Sequence, residues 1–177
     1  MSTTTWNIDA SHSEVGFKVR HLMLSNVKGQ FSAFTASVVT EGDDLSTAKI
    51  HFEAQIASIT TNNEQRDGHL KGADFFDAEQ FPTLKFESTT VTKVGDHQFT
   101  VTGNLTIKET TKSVELNVLS TGLAKDPWGQ TKTAFEISAK INRNDFGLIW
   151  NAPLETGGVL LSEDVYINAE AQFIQAQ

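Results

Sequence analysis

Between positions 65 and 86 the chain reads QRDGHLKGADFFDAEQFPTLKF, a stretch that gathers acids, bases and an imidazole in one place. Arg66, Asp67, His69, Asp74 and Asp77 surround the pair Phe75-Phe76. A carboxylate next to a histidine is the raw material of general acid/base catalysis. Asp67 and His69, with His21 as a further candidate, would then act as an acid/base pair on whatever ligand the protein holds. The competing account is a polar rim in which Arg66 pairs with an aspartate at the surface, and it is the more frequent use of such residues. The sequence offers no nucleophile or metal site to go with the acid/base pair. Cysteine is absent, which removes disulfides, thiolate zinc sites and cysteine nucleophiles together.

The remaining histidines do not strengthen the catalytic account. His12 and His21 fall in the first strand region, His51 on a polar strand face and His97 in a turn. None has the H-x-x-x-H spacing of a helical metal site, and a site assembled from His12, His21 and His69 has no pattern behind it. Ser11-His12-Ser13 reads as an N-terminal segment hydrogen-bonding onto its neighbours rather than as a triad. No cofactor or metal is called for.

The elements that must position these residues show themselves by alternation. AKIHFEAQI places Ala48, Ile50, Phe52, Ala54 and Ile56 on one face and Lys49, His51, Glu53 and Gln55 on the other. FTVTGNLTI sets Phe99, Val101, Gly103, Leu105 and Ile107 against threonines and Asn104. VYINAEAQF sets Val165, Ile167, Ala169, Ala171 and Phe173 against Tyr166, Asn168, Glu170 and Gln172. Weaker alternation runs through 15–21, 34–39, 84–90, 114–118 and 133–141. It contributes Phe17, Val19 and His21, then Phe34, Phe86, Leu116, and Phe135, Ile137 and Ile141 to the same inner face. A period of two with one dry face describes half-buried antiparallel strands, and turn signals such as EGDD, VGDH and DPWG separate them.

About eight long strands of this kind need closure to hide their edges, which predicts an all-β, up-and-down antiparallel barrel with an apolar inside. Residues 62–78 lack alternation and predict a short helix and loop, a lid with Asn62 or Asn63 as N-cap and Gly72 as its end. Phe75 or Phe76 would plug the barrel end while Arg66, Asp67 and His69 tie the lid down; Trp128 and Trp150, in or beside turns, would pack over an end. The inner face mixes phenylalanines with Ala36, Ala54, Gly103, Ala139, Ala169 and Ala171, so the pattern alone leaves a ligand cavity and a packed core equally open.

Composition narrows the partners. The 177 residues suit one domain, 1–177, with 38% hydrophobic and 20% charged residues. A net charge of −8 without any Lys/Arg run argues against nucleic acid and anionic membrane surfaces. The polar outer face argues against stable membrane insertion as an outer-membrane barrel. The opening MSTTTWNIDA lacks the features of a secretory signal, so the chain as written is expected to be soluble and cytoplasmic. A mature periplasmic protein given a new initiator methionine would read the same. A homodimer is left open.

Four stretches carry a resemblance. WNIDASHSEVGFKVRHLMLSNVKGQFSAF at 6–34, RDGHLKGADFFDAEQFPTLKFES at 66–88, GNLTIKETTKSVEL at 103–116, and INRNDFGLIWN with GGVLLSEDVYI at 141–167 together resemble the YceI family. The resemblance implies an extended lipocalin-like barrel whose lumen holds a long polyisoprenoid chain or similar amphiphile, such as an isoprenoid quinone or a fatty acid derivative, for storage or transport, without chemistry. It moves the open question toward a ligand cavity. Glu109 and Ser113 stand where the family usually has Gly and Pro, a departure confined to one hairpin.

Overall fold

The computed structural model describes residues 2–22, 24–152, 154 and 159–176. Gly157 and Gly158 of the family-like GGVLL stretch lie outside the described residues. Eleven strand segments follow one another: β1 (Thr3–Ile8), β2 (Glu14–His21), β3 (Ser25–Phe31), β4 (Phe34–Glu41), β5 (Asp44–Gln55), β6 (Ile59–Thr60), β7 (Thr83–Lys93), β8 (Gln98–Ile107), β9 (Thr110–Lys125), β10 (Thr131–Asn142) and β11 (Leu161–Gln175). Every pairing is antiparallel, in the order β1-β4-β5-β7-β8-β9-β10-β11, and β11 returns to β1 to close an eight-stranded barrel.

The remaining segments are continuations. β2 and β1 lie along successive parts of β11, with Phe17 opposite Ile167 and Trp6 opposite Gln175. β3 likewise extends β4, and β6 extends β5, so the three kinked pairs act as single long staves. The first kink is written locally. Asp9 accepts from the backbone N–H of Ser11 at 3.2 Å and its hydroxyl at 2.7 Å, and the Ser13 hydroxyl donates to the Asp9 carbonyl at 2.7 Å. Such side-chain bonds offer the backbone an alternative to the ladder. The Ser11 hydroxyl, and next His12 at 2.8 Å, hold the Asp9 carboxyl below its usual range.

Alternation survives into the barrel. On β8, Phe99, Val101, Gly103, Leu105 and Ile107 are buried while Gln98 and Asn104 are exposed. Gly103 does not leave the space its size promises. An added Cβ there would meet the Phe86 ring at 2.4 Å and the Glu87 carbonyl at 2.5 Å, so Phe86 already covers it from the next strand. Ala54 is also enclosed, at 0% exposure. Gly29 serves Phe17 as Gly103 serves Phe86, with the Phe17 ring 2.4 Å from where its Cβ would stand. The β8–β9 hairpin closes between Ile107 and Thr110, and Lys108, at φ 58°, takes the left-handed position beside Glu109.

The lid is a helix, α1 (Glu64–Lys71). Asn63, not Asn62, is its cap: the side-chain oxygen accepts from the Arg66 N–H at 3.0 Å. Glu64 in the first turn and Lys71 in the last complement the helix dipole, and Gly72 ends it. Among the described residues no helix is long and apolar enough to cross a membrane.

Candidate functional site

Inside the barrel the inward series from all the staves encloses an apolar cavity of about 420 Å³, within the usual range for a small-molecule site. Most of the side chains expected at the inner wall stand there. Phe17, Val19 and His21 line it from β2, Ile50 and Phe52 from β5, and Phe86 from β7. Phe99, Val101 and Leu116 line it from β8 and β9, and Phe135, Ile137, Ile141, Val165 and Ile167 from β10 and β11. Phe75 and Phe76, just beyond α1, also face it. Phe75 is 6% exposed with its ring centroid 5.5 Å from that of Trp150, and Phe76 meets Phe31 edge-on.

Phe34 and Ile56 correct the expectation, since neither lines the cavity. Phe34 stacks at a tilt on Phe52 from just past the β3–β4 break, and Ile56 is buried in the turn between β5 and β6. Both still belong to the apolar core just beyond the lumen: Ile56 is in the same buried cluster as Phe86 and Phe99, and Phe34 packs against it. Trp128 is another correction: it is 84% exposed and covers nothing.

The lid cluster forms neither the acid/base pair nor the Arg–Asp pair, and Arg66 and Asp67 act as a tether instead. Arg66 and Asp67 converge on Thr61 instead of pairing with each other. Asp67 Oδ1 accepts the Thr61 N–H at 2.8 Å and hydroxyl at 2.6 Å. Arg66 donates from Nε to the Thr61 hydroxyl at 2.7 Å and from Nη2 to its carbonyl at 2.8 Å. Asp67 is therefore buried as a tether behind the wall, while Arg66 and His69 line the cavity. His69 Nε2 is engaged by Asp74 at 2.9 Å, and its ring stands edge-on to Phe75 and Trp150, 5.0 and 4.8 Å between centroids. His12 sits at the β1–β2 kink, away from the lid end that holds His21 and His69.

One functional candidate escaped the sequence reading. Arg143 follows the last residue of β10, in a turn started by the Asn142 side chain, which accepts from the Asn144 N–H at 2.9 Å. The guanidinium turns inward, 3% exposed, and donates to the carbonyls of Ser162 (2.9 Å), Leu148 (2.6 Å) and Trp150 (2.8 Å). Its Nη2 is buried with no hydrogen-bond partner. Burial lowers its pKa and Glu163 opposes the shift; the group stays charged all the same. The signal was parity: Arg143 continues the inward run Phe135, Ile137, Ala139, Ile141.

Fold and cavity together define a lipocalin-like barrel, closed by eight strands, with an apolar lumen of ligand size under a helical lid. The model of the YceI-like domain matches residues 6–173, and the chain belongs to that family. It is 39% identical over 171 residues to the UPF0312 protein SA2479 of Staphylococcus aureus (strain N315), covering 96% of this chain and 97% of that one. Among solved structures it resembles the Campylobacter jejuni YCEI protein at 33% identity, with 96% of each chain covered and a TM-score of 0.79. A polyisoprenoid binding domain from Saccharophagus degradans shares the fold at 13% identity and a TM-score of 0.66, covering 95% of this chain and 97% of that one.

Proposed function

We propose that this protein binds a long polyisoprenoid or similar amphiphile inside its barrel, for storage or transport, and performs no chemistry on it. The observation that carries this reading is the cavity itself. It is walled almost wholly by hydrocarbon side chains contributed by every stave. Each methylene moved from water into such a wall contributes up to about 0.8 kcal/mol, so a long chain binds tightly without many polar contacts. The polyisoprenoid binding domain of the Saccharophagus protein, built on the same fold, supports the ligand class.

The catalytic alternative loses its pair. The Asp67 carboxylate accepts from the Thr61 N–H and hydroxyl, and His69 Nε2 is engaged by Asp74. Geometry comes before pKa in choosing a general base, and the absence of an Asp67–His69 contact favours the carrier reading. Mass spectrometry of an organic extract of the purified protein tests the proposal. An amphiphile near one equivalent per chain is expected. An empty extract, together with no uptake of an added long-chain prenol, contradicts it.

A further inference from the structure

Four large hydrophobic side chains stand in water at the helix end of the barrel. Leu22 and Leu24, 38% and 81% exposed, belong to the β2–β3 turn; Ile149 (69%) follows the turn after β10, and Val159 (43%) comes just before β11. Hydrogen bonds knit these segments together. The Leu22 N–H donates to the Leu160 carbonyl at 2.8 Å, and the Leu160 N–H to the Ala152 carbonyl at 2.9 Å. Arg143 fastens the Ile149 segment from within by holding the carbonyls of Leu148 and Trp150 on either side of it. Surface hydrophobics scattered singly need no explanation, but four on joined segments form a patch.

None of the four lines the cavity, yet all adjoin residues that do. His21 precedes Leu22 and accepts the Leu24 N–H at its carbonyl, Leu148 and Trp150 flank Ile149, and Leu160 follows Val159. The patch is thus the outer lip of the lumen. The other exposed large hydrophobics stand elsewhere. Val94, Leu119, Leu123 and Trp128 lie toward the opposite end, where Trp6 is packed, and Tyr166 is on the outer wall under Lys18.

What covers the lip is constrained by the ligand, so the inference rests on the lipid-binding reading above. Each methylene that must enter water slows release about fourfold, so roughly ten of them slow it about a million-fold. A carrier escapes that barrier when its lip is pressed against the receiving apolar phase. A bilayer is such a phase, and it takes up apolar side chains at its surface. Charge says which bilayer. On the segments that carry the lip, exposed Asp145 and Glu163 outnumber exposed Arg20, and the whole chain carries −8, so an anionic surface repels it.

We propose that the helix end docks on a neutral, zwitterionic bilayer through Leu22, Leu24, Ile149 and Val159, and exchanges its lipid with that bilayer by contact, without release into water.

The test is transfer of a pyrene-labelled hexadecanol from the loaded full chain to phosphatidylcholine vesicles that carry a quencher. The rate should rise in proportion to vesicle concentration. Leu24→Ser combined with Ile149→Ser should slow transfer about tenfold, because two apolar contacts with the bilayer are lost. Affinity for the probe in buffer should not change, since neither residue lines the cavity. Each single substitution should give part of the loss, which carries the test if the double variant fails to fold. Trp128→Ser, at the other end, should transfer like the parent. Vesicles enriched in phosphatidylglycerol should receive the probe more slowly. A rate independent of vesicle concentration overturns contact transfer, whether the lipid leaves through water or awaits a protein receiver. Parental transfer rates in the lip variants, or faster transfer to the anionic vesicles, overturn it as well. A chain that takes up no probe at all overturns the carrier reading itself.

Discussion

At the end of the barrel away from the helix, the indole of Trp6 is 1% exposed and donates to the Thr40 hydroxyl at 3.1 Å, which itself donates to the Gly42 carbonyl at 2.6 Å. Val38, Ala171 and Phe173 pack around it. At the helix end the comparable buried group is Arg143, which satisfies three carbonyls and leaves Nη2 without a partner. The Trp6 indole closes its hydrogen-bond account within the protein; the Arg143 guanidinium leaves one buried donor open beside the cavity. A fully satisfied buried group of the Trp6 kind serves as a stopper, whereas a buried donor without a partner is a departure that calls for a reason.

The contrast is exposed to mutation, most severely at the stopper. Trp6→Ala should cost about 3–5 kcal/mol, since it removes a large buried ring and the donor to the Thr40 hydroxyl. Denaturant melts of stripped and lipid-loaded protein should show nearly the same loss. A loss confined to the loaded form would place ligand, not packing, at that end. Arg143→Met should cost less, about 2–4 kcal/mol for the carbonyls released. Here the loss should be larger in the loaded protein, and an equal loss would make Arg143 a purely structural group.

Smaller effects separate the lid from the wall. Arg66→Ala should leave the barrel folded, destabilise it by about 1 kcal/mol, and speed ligand exit several-fold in a stopped-flow displacement experiment. An unchanged exit rate would remove α1 from gating. The kink at Asp9 concerns neither end and should show the least. Its carboxyl is held below the usual range, so its contribution is present above the ordinary carboxylate pKa and lost as pH falls through the folded value. Asp9→Asn should therefore lower Tm by only about 2 °C at pH 7, with the gap to the parent closing as pH falls toward about 3. A gap independent of pH would mean that the backbone turn, not the charge, is what matters.

The two ends also differ in how far the sequence discloses them. The wall is legible because side-chain parity is a property of the strand alone: Phe99, Val101, Val165 and Ile167 need no tertiary knowledge to be placed inward. Parity breaks where the ladder does. The bulge between Ser88 and Thr90 shifts the phase of β7, so Val91 faces the cavity although Phe86 set the opposite count. β1 is cut short by the Asp9 kink, and β3 presents Val27 and Phe31 to the cavity on either side of Gly29, whose missing side chain is supplied by Phe17 from β2. The lid helix was readable from Asn63 and Gly72 and its tether from Arg66 and Asp67, but the residue they grip was not. Thr61 collects Arg66 and Asp67 from only five and six residues away, but across the bend into the helix, where no period applies, and the neighbouring pair of opposite charges was the wrong partner choice.

The central claim is that the lumen holds an extended hydrocarbon, and a chain-length series tests it most directly. Delipidated protein would be titrated with prenols of increasing length at fixed head group. Each added isoprene unit should tighten Kd several-fold, because more apolar surface leaves water, until the chain fills the barrel and the gain stops. Affinity that does not change with length, or no binding at any length, would contradict the account.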